Sequence, residues 1–520
     1  MVKLLLDNTK WTELNSIWFS GYIIINDNYI GGNEAINQID IPANFSDFAN
    51  LVNTLNGRFS VIMKKGNETW VVSDKLRSIP LFFTKKERTT LISDNVENLF
   101  NKNIPPYPER KAVDVFLRTG YTINNYSLIK DIFITEPAEI ITFKKDGWEK
   151  FYYLTHLNPN ILAKVDAKKK ERQLEEILHQ IFSRLFNALG SRPVVIPLSG
   201  GYDSRLITYM AKKYHKGSIQ TYTYGVKNNC EVANAKRTAE ILGLDWLFIE
   251  YNKELIEDFT SSKTFKSYYR YASNYSSLFW LQDYFAVKEL KHEGMIPENS
   301  IFIPGLSGDA IAGVSLSKKK VPLNDTANHI FIDNFNLINS SRSQKASIAQ
   351  EINESCNTVE TYGWEAPYKW NIFHRQAKFV ANSARVYSFF GYNYYLPFWD
   401  NEFLFFFLSL PYELKAFKKL YNDVVEQIFK DDNLLFEKEL QPSIYYRKFQ
   451  SFKDNVKTLL PSLLVNALTS NKSPFYYEEI TKLLRNELDK EKMIPPKQPN
   501  YYNAYIAQWY LQRIFNNHTS

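Results

Sequence analysis

One run constrains the fold of this chain more than any other: Val194-Val195-Ile196-Pro197-Leu198-Ser199-Gly200-Gly201-Tyr202-Asp203-Ser204-Arg205. Its apolar, β-branched start reads as a buried strand, Ser-Gly-Gly as a tight turn, and the residues from Asp203 onward as the first turn of a helix. The surroundings repeat the alternation. RPVVIPL is a strand and SRLITYMAKKY a helix; SIQTYTYGV is the next strand and EVANAKRTAEILG the next helix; WLFIEY and, at 300–305, SIFIPG are further strands. This rhythm predicts a parallel, doubly wound sheet. In such sheets ligands bind in the crevice beyond the carboxyl ends of the strands, which is where this turn must sit.

The residue types in the turn specify chemistry. Glycines let a backbone approach an anion closely, and unpaired N–H groups at a helix start point at it. Ser199 and Ser204 add hydroxyl donors. Asp203 does not serve an anion by itself; a carboxylate beside a phosphate makes sense where Mg²⁺ bridges the two. The loop is not a Walker A motif, because G-x-x-x-x-G-K-[ST] is absent. An ordinary glycine turn ahead of a helix is the plainer alternative. A second segment, Ile301-Phe302-Ile303-Pro304-Gly305-Leu306-Ser307-Gly308-Asp309-Ala310, has the same form. It offers Gly305 and a second carboxylate, Asp309, which taken alone reads equally well as a helix cap. Paired with the first loop, it supplies the second carboxylate that a Mg²⁺ on a phosphate group would use.

The rest of the chain reads as follows. GYIII at 21–25, GRFSVIM at 57–63, TWVVSD at 69–74 and PLFFT at 80–84 are short strands between Gly, Asn and Asp, with a helix at 110–118 and a strand EIITFKKDG at 139–147, so residues 1–153 form a β-rich domain. Residues 154–190 read as a helical linker with Leu174, Ile177, Ile181, Leu185 and Phe186 on one face and a solvated lysine run in front. Residues 191–520 form the α/β unit, helical in its last third, with long periodic stretches at 369–391 and 401–430 and a mobile loop at 317–329. FLFFFLSL at 403–410 is too short to span a bilayer and reads as a buried helix. The start, MVKLLLDNTKW, has no signal-peptide pattern. Cys230 and Cys356 are the two cysteines and form no CxxC, which argues against a disulfide scaffold and for a cytoplasmic protein. With 63 basic and 56 acidic residues the formal charge is +7, compatible with an anionic substrate but no argument for nucleic acid.

These motifs resemble the asparagine synthetase family. SGGYDSR resembles SGGLDSS, the pyrophosphate loop that the family shares with the wider ATP-pyrophosphatase superfamily. TYTYGV with NNCEVANAKRTAEILG resembles its adenine-side strand and helix, SGDAIAG its GADELFGG segment, and GYNYYLPFWD at 391–400 its GVEARVPFLD without a gap. GRFSVIM and WVVSDKLRSIPLFF resemble the GMFAFALYD and RDHLGIIPLY parts of the family's glutaminase domain. The resemblance runs from about residue 50 onward. It implies an α/β chain: an N-terminal β-rich Ntn-hydrolase-like α+β domain, then a doubly wound ATP-pyrophosphatase domain with a helical C-terminal part. It also implies a two-step reaction in which ATP adenylates a carboxylate, releasing pyrophosphate, and a nitrogen nucleophile displaces AMP. By matching position, Leu198, Ser199, Gly200, Gly201, Asp203 and Ser204 would hold the phosphates, Gly305 would complete the nucleotide site, Asp203 and Asp309 would hold Mg²⁺, and Tyr224 and Gly225 would lie against adenosine. The family's lysine in a segment like WRQKEQF corresponds to Tyr446–Phe452, where it falls one position early; either Lys448 or Arg447 would contact pyrophosphate, and a solvated basic pair is the alternative.

The departures bear on substrate. Residue 2 is Val2 where the family carries its nucleophilic cysteine, neither cysteine lies in the N-terminal domain, and the RGPD, NGE and GSD segments are missing. Without a thiol no thioester forms, so the domain is expected to lack glutaminase activity and to persist as a structural partner. Leu306 replaces the glutamate of SGEGAD, Asn393 the glutamate of GVEARVPFLD, and Tyr395 its arginine. A bulkier, less charged acid than aspartate is expected, such as a sugar acid of surface polysaccharides or a secondary-metabolite acid. The expected partners are that acid and one of three nitrogen sources, free ammonia, an amine or a separate glutaminase, with no nucleic acid and no membrane. Asparagine synthesis from aspartate, a tRNA-modifying ATP-pyrophosphatase and a non-catalytic ATP-binding scaffold stay open. His374 and Arg375 read as surface or core residues, Asp400 as a helix cap, and the tyrosines of 267–277 as pocket lining or plain packing.

Overall fold

The computed structural model describes residues 2–39, 44–100, 106–154, 165–227, 230–316, 325–355, 363–430, 432–436, 475–490 and 502–516. Among the described residues its N-terminal part holds eleven strands: β1 (Val2–Leu5), β2 (Thr12–Leu14), β3 (Ile17–Ile25), β4 (Asn28–Gly31), β5 (Asn56–Lys65), β6 (Glu68–Ser73), β7 (Phe82–Lys86), β8 (Thr89–Ser93), β9 (Phe133–Ile134), β10 (Glu139–Phe143) and β11 (Trp148–Tyr152). They make two sheets, ordered β1-β8-β7-β9 and β11-β10-β6-β5-β3-β2, with β4 beside β3. Period-two alternation packs them. Ile62, Val71 and Ile141 meet Phe83 and Ile92 of the other sheet in one core. Their neighbours Val61, Val72 and Ile140 point the opposite way, into a second core with Phe48 and Val52 of the helix Phe45–Thr54. The expected strands are all present; EIITF ends at Phe143 because Lys144 turns back to Gly147 through a backbone hydrogen bond of 2.8 Å.

The helix Ala167–Leu189 follows. Asp166 caps it by accepting from the N–H groups of Lys168 and Lys169, and Leu174, Ile177, Leu178, Ile181, Phe182, Leu185 and Phe186 form its buried face. Lys168 and Lys169 are exposed, as a solvated run should be. The parallel sheet comes next, from β12 (Val194–Pro197), β13 (Ile219–Gly225), β14 (Asp245–Glu250), β15 (Ile301–Phe302) and β16 (Asn393–Tyr394). Its order is β14-β13-β12-β15-β16, all pairs parallel. The chain starts in the middle, winds outward one way, then crosses to the other side of β12. The direction of winding switches between β12 and β15, and that places a crevice at their carboxyl ends. The expected α/β, doubly wound class is the one observed.

The helical last third departs from its expected long helices. The stretch 369–391 divides into the end of the helix Glu365–Trp370, a π-helix Asn371–Val380, a 3₁₀ turn Ala381–Ala384 and the helix Arg385–Phe389. The stretch 401–430 divides into Asn401–Ser409, Tyr412–Lys415 and Lys419–Lys430, interrupted at Pro411 and by Phe417 at φ 58°. Of the expected loop 317–329, residues from Thr326 begin a helix, Thr326–Asn334, and 317–324 lie outside the described residues. Other expectations hold. Phe403, Leu404, Phe406, Phe407 and Leu408 are buried, and Asp400 caps their helix by accepting from Glu402 N–H at 3.0 Å. Among the described residues no helix is long and apolar enough to cross a membrane.

The N-terminal domain and the parallel sheet share one hydrophobic core. Polar contacts cross the same boundary. Tyr22 donates to the Tyr394 carbonyl at 2.6 Å, and Arg58 donates to Ser388 Oγ at 3.2 Å while its guanidinium lies 4.1 Å from the Tyr394 ring. Asn401 donates through its backbone to Asn56 Oδ1 at 2.8 Å.

Candidate active site

The first loop is built by its own hydrogen bonds. Ser204 Oγ accepts from Ser199 N–H at 3.0 Å and lies 3.0 Å from Ser199 Oγ, which in turn accepts from Gly201 N–H at 3.2 Å. The Ser204 hydroxyl therefore holds the turn shut. The helix Tyr202–Tyr214 begins here with Gly201 at its cap and no side chain capping it. Gly200 leaves room for the next helix: a Cβ there would stand 3.2 Å from Glu231 Cα and 3.3 Å from Asn234 Cβ. Arg205, fully buried, donates to the Gly200 carbonyl and, at 2.8 Å, to the Leu434 carbonyl, with its guanidinium 4.4 Å from the Phe436 ring.

The second loop docks against the first. A Cβ on Gly305 would lie 2.8 Å from Ser204 N, and one on Gly308 would lie 2.6 Å from Asp203 Oδ2. Only glycine lets the two loops approach this closely. Ser307 takes the left-handed conformation at φ 72° and donates to Gln376 Oε1 at 3.1 Å. The next two residues start a short helix, Gly308–Ile311, and Asp309 N–H donates to Asp203 Oδ2 at 3.0 Å. Tyr421 donates to the other oxygen, Oδ1, at 2.8 Å. Burial, and then the neighbouring charge of Asp309, push the Asp203 carboxyl up to about 7, against the opposing pull of these two donors.

A cavity of about 210 Å³ opens beside this junction. Leu198, Ser199, Ser204, Tyr224 and Gly305 line one side, and Trp280, Gln282, Leu306, Val380, Ser383 and Phe475 continue the wall. Tyr224 is held in place by stacking on Tyr251, with centroids 5.4 Å apart, and by donating to Asp283. Asp283 also accepts from Tyr387 at 2.9 Å, and burial pushes its carboxyl up despite both hydroxyls. Gly225 closes the strand at φ 132°, its carbonyl accepting from Tyr251 N–H at 2.8 Å.

The expected residues are thus largely brought together. Leu198, Ser199, Gly200, Gly201, Asp203, Ser204, Gly305 and Asp309 form one junction, and Tyr224 and Gly225 stand on the adjacent strand end. Leu306 is in the cavity wall. Asn393 and Tyr395 are not: Asn393 is the exposed first residue of β16, and Tyr395 is buried with its N–H on the Phe302 carbonyl at 2.9 Å. Arg447 and Lys448 lie outside the described residues. Tyr268 and Tyr269 pack in the core and line no part of this cavity. His374 is half-buried against the Trp370 ring, 4.0 Å between centroids. Sequence reasoning missed Tyr421, Arg205 as a clamp, Asp283 and the wall residues Trp280 and Val380. Only Arg205 had a local signal, adjoining the motif.

The model of the asparagine synthase family matches residues 177–295. Among solved structures, an NH₃-dependent NAD synthetase from Campylobacter jejuni in complex with nitrate is 18% identical, covering 36% of this chain and 74% of that one at a TM-score of 0.18. A U34-tRNA thiolase from Methanococcus maripaludis with its [4Fe-4S] cluster is 12% identical, covering 46% of this chain and 88% of that one at 0.22. A glutamine phosphoribosylpyrophosphate amidotransferase from B. subtilis, complexed with ADP and GMP, is 10% identical, covering 58% of each chain at 0.18. No curated protein matches the sequence.

Proposed function

We propose that this chain, of the asparagine synthase type through residues 177–295, is an ATP-dependent, AMP- and pyrophosphate-forming ligase that adenylates a carboxylic acid for attack by ammonia or an amine. The observation that carries the reading is the contact between Asp203 and Asp309 at the switch point of the sheet, beside an uncapped helix start and a cavity. The loop 199–204 would cradle the phosphates on backbone N–H groups, and Tyr224 and Gly225 would face adenosine. Catalysis would be mainly positioning and charge neutralisation on the departing pyrophosphate.

The two carboxylates suit Mg²⁺. Among the described residues no three His, Cys, Asp or Glu side chains converge on a metal position, and Mg²⁺ on a nucleotide takes one or two carboxylates and completes its shell with phosphate oxygens and water. Burial first and the charge of Asp309 second push the Asp203 carboxyl up, and a bound cation would oppose both. When bound, the ion would supply charge neutralisation of the phosphates. Asp203 would hold it through lone pairs left over from Tyr421 and the Asp309 N–H.

The acceptor is proposed to be an acid bulkier and less charged than aspartate, since Leu306, Trp280 and Val380 present apolar surface to the cavity. A secondary-metabolite acid with an apolar body suits those three side chains, whereas a sugar acid would need Gln282 and Ser383 of the same cavity for its hydroxyls. Neither Cys230 nor Cys356 belongs to the N-terminal domain, so the nitrogen is proposed to come from free ammonia, an amine or a separate glutaminase. The test is pyrophosphate release from Mg²⁺ and ATP over a panel of acids, with ammonia or with glutamine. Release with one acid and ammonia but not glutamine is the expected result. Efficient conversion of aspartate to asparagine would overturn the acceptor reading, and no release with any acid would overturn the ligase.

A further inference from the structure

The π-helix Asn371–Val380 touches three parts of the molecule within five residues. Gln376 accepts from Ser307 in the second loop at 3.1 Å. The Phe379 carbonyl accepts from Trp280 Nε1 at 2.8 Å, and both Trp280 and Val380 line the cavity. Between them, Lys378 turns the other way, into the N-terminal domain. Its Nζ lies 2.5 Å from Glu136 Oε2, and each residue is 1% exposed.

The surroundings of this pair are unusually charged. Arg77 approaches Glu136 Oε1 at 3.6 Å and also donates to Ser276 and Ser277 at 3.3 and 3.2 Å. His374, one turn earlier on the π-helix, stands 3.8 Å from Glu136 Oε2. Glu139 accepts from Asn125 Nδ2 through both oxygens and from the Glu136 N–H at 2.7 Å. A buried ion pair is a poor route to stability, because desolvation offsets most of its attraction, and it fixes geometry better than it stabilises. The geometry here is that of a helix in an uncommon winding, a form that recurs at functional sites.

We propose that Glu136 is a positioning residue for the synthetase site: through Lys378 it fixes the segment Gln376–Val380, and that segment holds the second loop and one wall of the cavity. This rests on the ligase reading for its kinetic consequence, but not for its structural one. On this account the N-terminal domain completes the synthetase site by framing it, and needs no glutaminase activity to matter.

The test uses the full chain with Glu136→Gln, Lys378→Arg and the double variant Glu136→Gln/Lys378→Met. Amide hydrogen exchange and kcat and KM for pyrophosphate release are read together with Tm. For Glu136→Gln, exchange at 307–311 and 376–380 is expected to speed up at least 10-fold while β12 and β13 keep their protection. The kcat is expected to fall at least 10-fold with KM for ATP within twofold, and Lys378→Arg is expected to keep most of the activity. The double variant, which strands neither partner of the close pair and leaves only the longer Arg77 contact at 3.6 Å unanswered, is expected to recover part of the Tm lost in Glu136→Gln but not kcat. Unchanged exchange at 307–311 in Glu136→Gln would overturn the proposal, as would a double variant that regains kcat and Tm together. If the parent protein releases no pyrophosphate with any acid, the ligase reading fails, and exchange at 307–311 still decides this one.

Discussion

The backbone N–H of Asp309 donates to Asp203 Oδ2 at 3.0 Å, which ties the carboxyl ends of β12 and β15 together at the switch point of the sheet. The contact brings a second acid beside the first, and Asp203 is held up near 7 by burial and by that neighbour. Near pH 7 the carboxyl therefore stands between its neutral and charged forms. Asp203→Asn should therefore leave the fold intact while removing the charge that a bridging cation needs. The expected outcome is a loss of roughly 100-fold or more in pyrophosphate release, with Tm at pH 7 no lower than the parent's. Steady-state kinetics beside a thermal melt checks it.

The same carboxyl makes a signed prediction about pH. Its folded pKa is raised from 3.8 to about 7, so the native state holds more protons than the unfolded one between those values. Its contribution to stability is complete below about 3.8 and is lost as pH rises through 7. The Tm difference between Asp203→Asn and the parent should thus be near zero below about pH 4 and grow in favour of the variant between there and about pH 7, holding at pH 8. Tyr421 opposes the shift by donating to Oδ1 at 2.8 Å. Removing its hydroxyl in Tyr421→Phe should raise the Asp203 pKa further and move the acid limb of the activity profile upward, by about one unit. Activity lost at pH 7 should return at pH 8.5; a uniform loss at every pH would contradict the assignment.

What the sequence made legible follows from how local each signal is. The loop 199–204 and the segment 305–309 are each a strand, a turn and a helix start in one stretch, so both their form and their chemistry could be read in place. That Gly308 exists to admit Asp203 could not, because the two are brought together by sheet order and not by sequence distance. Tyr421 reaches Asp203 across 218 residues, and nothing in YNDVVEQ marks it as different from any other core tyrosine. The π-helix Asn371–Val380 reads as ordinary helix because its apolar spacing is helical either way, and the partners of Gln376 and Lys378, which lie far off in the sequence, leave no local mark. Asn393 and Tyr395 were read as acceptor residues from a gapless match, yet the short strand β16 places them away from the cavity.

Glycine tolerance separates the two loops. Gly308→Ala would bring a Cβ to 2.6 Å from Asp203 Oδ2 and 2.8 Å from Phe398 Cδ2, neither of which can retreat from its packed surroundings. A loss of roughly 1–3 kcal/mol in stability is expected, as for overpacking elsewhere, together with loss of activity as Asp203 is displaced. Gly201→Ala would meet only Ser199 Oγ, at 3.4 Å, on a backbone at φ −79° that any residue adopts. Its stability should stay within about 0.5 kcal/mol of the parent's. Denaturant melts of the two variants side by side give the comparison.

Leu306 tests the acceptor wall. It lines the cavity between Gly305, which touches the start of the helix Tyr202–Tyr214, and the apolar side chains of Trp280 and Val380. Truncation in Leu306→Ala removes apolar contact from the acid and leaves the loop 199–204 untouched. The expected effect is a fall of about 10- to 100-fold in kcat/KM for the cognate acid, the scale of a few methylenes in an apolar pocket, with KM for ATP unchanged within twofold. Leu306→Glu places a carboxylate on the same wall, with no cation among the described residues lining the cavity to pair with it. It should bind an apolar acid worse still, because an unpaired charge is costly to desolvate. If Leu306→Glu instead gained turnover of aspartate with ammonia, the wall would be an amino-acid site altered at one position, and the bulkier, less charged acceptor would be wrong.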